Sequence, residues 1–127
     1  MGSLIRIQCN NCHEKWSLQT GYGLMHGRIE NVAAILPESV AKNLPMEQLR
    51  NHEIPWSFAY ETALCEDCKA FFSAPIIRYA DDQTIPPSAC PQCGKSLRLI
   101  DEANLTQTPC PSCGTQNLDI TEQGLWD

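Results

Sequence analysis

Of 127 residues, eight are cysteines, and these are the side chains whose type and spacing can do chemistry. All fall in CxxC pairs: Cys9 with Cys12, Cys65 with Cys68, Cys90 with Cys93, and Cys110 with Cys113. Two intervening residues let a tight turn aim both sulfurs at one ion while backbone N–H groups hydrogen-bond to them, so each pair is half of a tetrahedral site. Four halves make two tetrathiolate sites, and the expected occupants are two zinc ions, each held by four cysteines. Iron is the less common alternative, and it would make the protein an electron carrier.

Two other readings of the pairs fit less well. The stretch CNNCH at 9–13 also spells the attachment signature of a c-type haem. Such a haem needs export, yet MGSLIRIQC shows no apolar run followed by a small-residue cleavage site, and the other three pairs lack the histidine. Dithiol exchange enzymes usually set one CxxC at a helix N-terminus, whereas here all four pairs lie between strand-like flanks.

The last two pairs carry the most detail, CPQCGK at 90–95 and CPSCGT at 110–115. Proline after the first cysteine presets φ for the turn, and glycine after the second can take the positive φ that folds the chain back into a strand. Leu97 and Leu99 follow one copy and Leu118 and Ile120 the other, each reading as a half-buried strand. CPQCG and CPSCG resemble the knuckles of rubredoxin-like zinc ribbons. The wider order, from a first Cys pair through Gly21-x-Gly23, a helical stretch and a second Cys pair to two CPxCG knuckles, is similar to a group of uncharacterised bacterial double zinc-ribbon proteins. That resemblance implies a fold and a metal and brings no activity with it. At two places the knuckle spelling changes: Cys12 is followed by His13 and Cys68 by Lys69. Either those residues accept an unfavourable φ or their turns differ.

Four half-sites allow three pairings. The sequential scheme, which the sequence favours, joins the first pair to the second across 52 residues and the third to the fourth across 16. The nested scheme joins the second to the third across 21 residues and leaves the first and last to meet, and an interleaved brace completes the set. Loop-closure entropy grows only logarithmically with length, so it does not choose among them.

The elements that must position the cysteines are short. LIRIQ at 4–8 and Trp16 with Leu18 read as a hairpin around the first knuckle, and residues 55–64 and 69–79 as a second hairpin around Cys65 and Cys68. Between them GYGLMHG reads as a turn or bulge, its glycines lacking the GxGxxG spacing of a nucleotide loop. A helical pattern runs over 30–52, interrupted by Pro37 and Pro45, which gives short helices near 38–44 and 46–51 packed as a lid on the small core. A helix that binds a partner is the rival reading of this insertion. The aromatics Trp56, Phe58, Tyr60, Phe71 and Phe72 read as core, a reading reinforced by the acidic neighbours Glu61, Glu66, Asp67, Asp81 and Asp82. The tail from Thr121 holds one anchor, Trp126, and reads as docked or loose.

The expected fold is a small metal-stabilised α+β unit spanning 1–127, with a first ribbon over 1–80 that includes the helical insertion and a second over 81–127. Its formal charge is −6, and each tetrathiolate zinc adds about −2. Lysines and arginines are scattered singly, so nucleic acid is disfavoured as a partner unless Arg6, Lys15, Arg28, Arg78 or Arg98 converge on one face. His13, His26 and His52 form no ligand pair and no GxSxG is present, so the expectation is a non-enzyme. Function is expected to reside in a surface that binds another protein. No apolar run approaches bilayer length, and a cytoplasmic location, where thiols stay reduced, is expected.

Overall fold

The computed structural model describes residues 2–80, 83–84 and 89–126; Asp81 and Asp82 lie outside them. Strand β1 (Gly2–Cys9) alternates as its sequence asks, with Ile5, Ile7 and Cys9 buried on one face and Arg6 and Gln8 half-buried on the other. It turns through the first knuckle into antiparallel β2 (Lys15–Thr20). Strands β3 (Trp56–Cys65) and β4 (Ala70–Tyr79) repeat this plan around the second knuckle.

Each remaining knuckle opens a strand that lies against the first strand of one hairpin. The third knuckle leads to β6 (Arg98–Leu99), which pairs with β3, and β5 (Gln83–Thr84) extends that sheet beyond β4. The fourth knuckle leads to β7 (Leu118–Trp126), which pairs with β1 along its whole length. The sheets therefore read β2-β1-β7 and β5-β4-β3-β6. One hairpin-plus-strand unit is inserted inside the other, and the segment from Thr121, which sequence left undecided, is an ordered strand.

The insertion between β2 and β3 begins with a 3-10 turn at Leu24–Gly27, followed by α1 (Ile29–Ile35), α2 (Glu38–Ala41) and α3 (Met46–Arg50). Pro37 and Pro45 stand at the N-caps of α2 and α3. The helix expected over 38–44 stops at Ala41, since Leu44 precedes a proline and is steered away from helical backbone. Ile29, Val32, Leu36, Leu44 and Leu49 pack on Phe58 and Ile77, so the helices do cover one face of the β3–β4 hairpin. The expected aromatic core divides: Phe58 joins this helical cluster, with Trp56 and Tyr60 at its margin, whereas Phe71 packs with Ile5, Ile7 and Leu118 under the first sheet.

Two devices join the sheets. The Ser73 hydroxyl on β4 donates to the Gln19 carbonyl at 2.9 Å and accepts from the Gln19 N–H at 3.0 Å. Gly21 and Tyr60 exchange backbone hydrogen bonds of 2.9 and 2.7 Å. At the far end the Trp126 indole donates to the Thr20 carbonyl at 3.1 Å and packs over Gly2, where a Cβ would overlap it. Among the described residues no helix is long and apolar enough to cross a membrane.

Candidate metal centres

Strand pairing decides which cysteines meet. Because β7 lies on β1, the knuckle before β7 is delivered to the β1–β2 turn, and Cys9, Cys12, Cys110 and Cys113 form one group. Because β6 lies on β3, Cys65, Cys68, Cys90 and Cys93 form the other. This is the nested pairing. The sequential scheme preferred from sequence is corrected: the long and short spans of the two schemes differ little in closure entropy, whereas the ladder between β1 and β7 fixes the ends. Both groups draw one pair from each side of the division at 80/81.

Within each group all four sulfurs lie within 4.8 Å of one another. Cys9 Sγ is 3.6 Å from Cys113 Sγ and Cys12 Sγ 3.7 Å from Cys110 Sγ, while the second group shows 3.5 and 3.6 Å for Cys65–Cys93 and Cys68–Cys90. A disulfide would need about 2.0 Å. Four sulfurs placed about 2.3 Å from a tetrahedral zinc stand about 3.8 Å apart, so the donor set fits such an ion. The first cysteine of each pair is buried, Cys12 and Cys68 are half-buried, and Cys93 and Cys113 are exposed, so each group has one face on the core and one on solvent.

Three knuckles close by the same pair of backbone bonds. Cys9, Cys90 and Cys110 accept at their carbonyls from His13, Gly94 and Gly114, and donate from their N–H groups to Glu14, Lys95 and Thr115. His13 does accept a positive φ, 66°, as does Lys69 at 55°, beside 76° and 78° at Gly94 and Gly114. What His13 brings to the site is this backbone bond. Amides at Asn11, Cys68 and Gln92 point at Cys9, Cys65 and Cys90 sulfurs at 3.4 Å.

Hydrogen bonding and burial together set unequal acidities within each group. The Thr115 amide, followed by the Asn11 side chain, brings Cys113 down to about 5, while burial pushes Cys110 up to about 12. Burial alone would raise Cys90, but the Cys93 and Gln92 amides outweigh it and bring it to about 7; Cys68, crowded by Cys93, is pushed up to about 12. Four adjacent thiols cannot all ionise without a counter-charge, and a divalent cation supplies one.

Sequence reasoning missed the residues that brace the knuckles against one another. Asn11 Nδ2 donates to Cys113 Sγ at 3.6 Å and to Thr115 Oγ1 at 3.2 Å, bridging the first and last knuckles. Lys95 pairs with Asp67 at 3.1 Å and Arg98 with Glu66 at 3.2 Å, tying the CEDC knuckle to its mate. Opposite charges at two knuckles were a legible signal for the nested pairing. Arg78 is likewise engaged, by Glu61.

No known protein family, curated protein or solved structure matches the chain. What characterises it is therefore its own geometry: a small α+β protein whose two groups of four cysteines, each held by a hairpin and a third strand, fit a double zinc-ribbon-like arrangement.

Proposed function

We propose that the protein is a structural zinc-binding module, without catalytic activity, that acts by presenting a surface to another protein. The observation that carries the reading is the convergence of all eight cysteines into two groups of four sulfurs, each within 4.8 Å. Four thiolates saturate a tetrahedral zinc, leaving no position for an activated water, which is the chemistry of a structural site. The ions would tie each knuckle to its distant mate, so folding is coupled to metal.

A protein partner suits the net charge of −6 better than a polynucleotide does. Among the arginines that would have to converge for nucleic acid, Arg78 and Arg98 already face Glu61 and Glu66. A reducing compartment such as the cytoplasm suits eight cysteines kept as thiols or metal thiolates. The test is elemental analysis with an absorption spectrum on protein from native cells. Two zinc ions per chain and no visible band are expected. A red protein that bleaches on reduction would replace the reading with the iron electron carrier, and a metal content well below two would remove the double site.

A further inference from the structure

The loop between β2 and α1 is fixed on either side by groups that do not titrate and in its middle by one that does. Gly21 is bridged to Tyr60, and the Asn31 side chain donates to the Met25 carbonyl at 2.8 Å. Between them the Gly23 N–H donates to His26 Nδ1 at 2.8 Å. A backbone N–H can only donate, so Nδ1 carries no proton and the imidazole is neutral, with its single proton on Nε2. The same ring ties the loop to two strands. It lies 4.5 Å from Phe58 and 5.7 Å from Tyr60 on β3, and it meets Trp126, near the end of β7, edge-on at 5.6 Å. Trp126 in turn donates to the Thr20 carbonyl, so loop, β2, β3 and β7 are joined at one point.

A second proton breaks this arrangement. An imidazolium donates from both nitrogens, and whichever way the ring turns it offers the Gly23 amide no acceptor. The surroundings do little to offset the charge. Burial holds the ring below the ordinary histidine value, and no charged neighbour contributes. From β3 the ring faces the Tyr60 phenol, which burial raises and so keeps neutral. Beside it opens a cavity of about 450 Å³ to which the loop adds the Tyr22 phenol and the turn after α3 adds His52; among the described residues no Asp, Glu, Lys or Arg lines it. On α1, Glu30 is engaged by Arg50, and Arg28 at the N-cap carries a like charge. The faces of Phe58 and Tyr60 attract an imidazolium, but they return no acceptor to Gly23.

We infer that His26 is a pH-operated latch: the neutral imidazole fastens the loop to β3 and β7, and on taking up a proton it lets go of Gly23 and lifts from Phe58. The sign follows from linkage. A histidine disfavoured in its charged form keeps the latch closed above its unperturbed value of about 6.5, and the closed form loses about tenfold against the open one for each pH unit below that. Opening bares an aromatic face of β3, since Phe58 beneath the ring is only 5% exposed. None of the eight cysteines takes part, so the latch works whichever metal they hold.

Nuclear magnetic resonance of the zinc-loaded full chain, titrated from about pH 7.5 to about 5.5, tests this. The carbon-bound ring protons report the charge on His26, and amide exchange, corrected for its intrinsic pH dependence, reports the Gly23 bond. Protection at Gly23 should fall about tenfold over the most acid unit, in step with the ring, while amides inside β1 hold. The Trp126 indole N–H should shift with it. His26→Asn sets an amide oxygen near the place of Nδ1, an acceptor that takes no proton in this range, and its Gly23 protection should stay flat. His52→Asn, which suits the left-handed backbone at that position (φ 58°), should leave the parent response intact. Gly23 protection that stays constant to the acid end overturns the inference, whether or not the ring titrates. So does an equal fall in His26→Asn, a fall abolished by His52→Asn, or one shared by the β1 amides, which would report loss of metal and fold rather than release of a loop.

Discussion

At the residue following the second cysteine, each knuckle forces the backbone into left-handed territory, and two of the four residues there are not glycine. A side chain with a Cβ resists that conformation by roughly 1–2 kcal/mol. His13 and Lys69 accept it because the ladders on either side, β1 with β2 and β3 with β4, leave the turn no alternative. A Cβ at Gly114 would meet nothing within 4 Å, so replacing this glycine tests backbone strain alone. Gly114→Ala should lower stability by about 1 kcal/mol. His13→Gly should raise it by about 0.5 kcal/mol, the relieved strain being partly offset by the freer unfolded chain. Denaturation midpoints at fixed free metal measure both, and a destabilised His13→Gly protein would show that the imidazole makes contacts beyond its backbone.

Among the elements, the strands were legible and the partners of the third strands were not. Alternation at Ile5 and Ile7, and the β-favouring aromatics from Trp56 to Tyr60, are local signals that name a strand. The partner of a strand is a nonlocal choice. Residues 118–126 carry little buried apolar pattern, only Leu118 being fully covered, so nothing local announces that they complete the first sheet. Strand β6 is two residues long, and although Leu97 and Leu99 announce a strand, nothing in so short a stretch names β3 as its partner. The join between sheets was equally silent, because it rests on one hydroxyl and one isolated backbone bridge, Gly21 with Tyr60. Ser73→Ala strands both the N–H and the C=O of Gln19 on the edge of β2, and it should cost about 1–3 kcal/mol. Hydrogen exchange supplies the check specific to this join: the Gln19 amide should exchange faster in the variant than in the parent, with amides inside β1 little changed. An unaltered Gln19 amide would mean that the Ser73 hydroxyl contributes nothing to holding the sheets together.

For the whole molecule, nesting makes the two metal groups unequal. The inner group closes a short span, with Cys68 and Cys90 separated by 22 positions, and among the described residues the cluster around it draws on those between Ala63 and Leu99 alone. The outer group joins Cys12 to Cys110 across 98 positions. Its core needs Leu64 and Phe71 from the inserted hairpin as well as Ile5, Ile7 and Leu118. The outer unit therefore has no complete core until the inner one exists, whereas the reverse dependence is absent from the inner cluster. Closing the longer loop adds about 1 kcal/mol of entropy against it. Zinc given in a single equivalent to the reduced, metal-free chain should accordingly load the inner group first. Alkylation followed by peptide mapping reads the order, since a bound thiolate is protected. Cys65, Cys68, Cys90 and Cys93 should be shielded while Cys9, Cys12, Cys110 and Cys113 still react, with a preference of about fivefold or more. Equal protection of all eight would mean that the two units assemble as one cooperative step, and protection of the outer four first would reverse the dependence read from the cores.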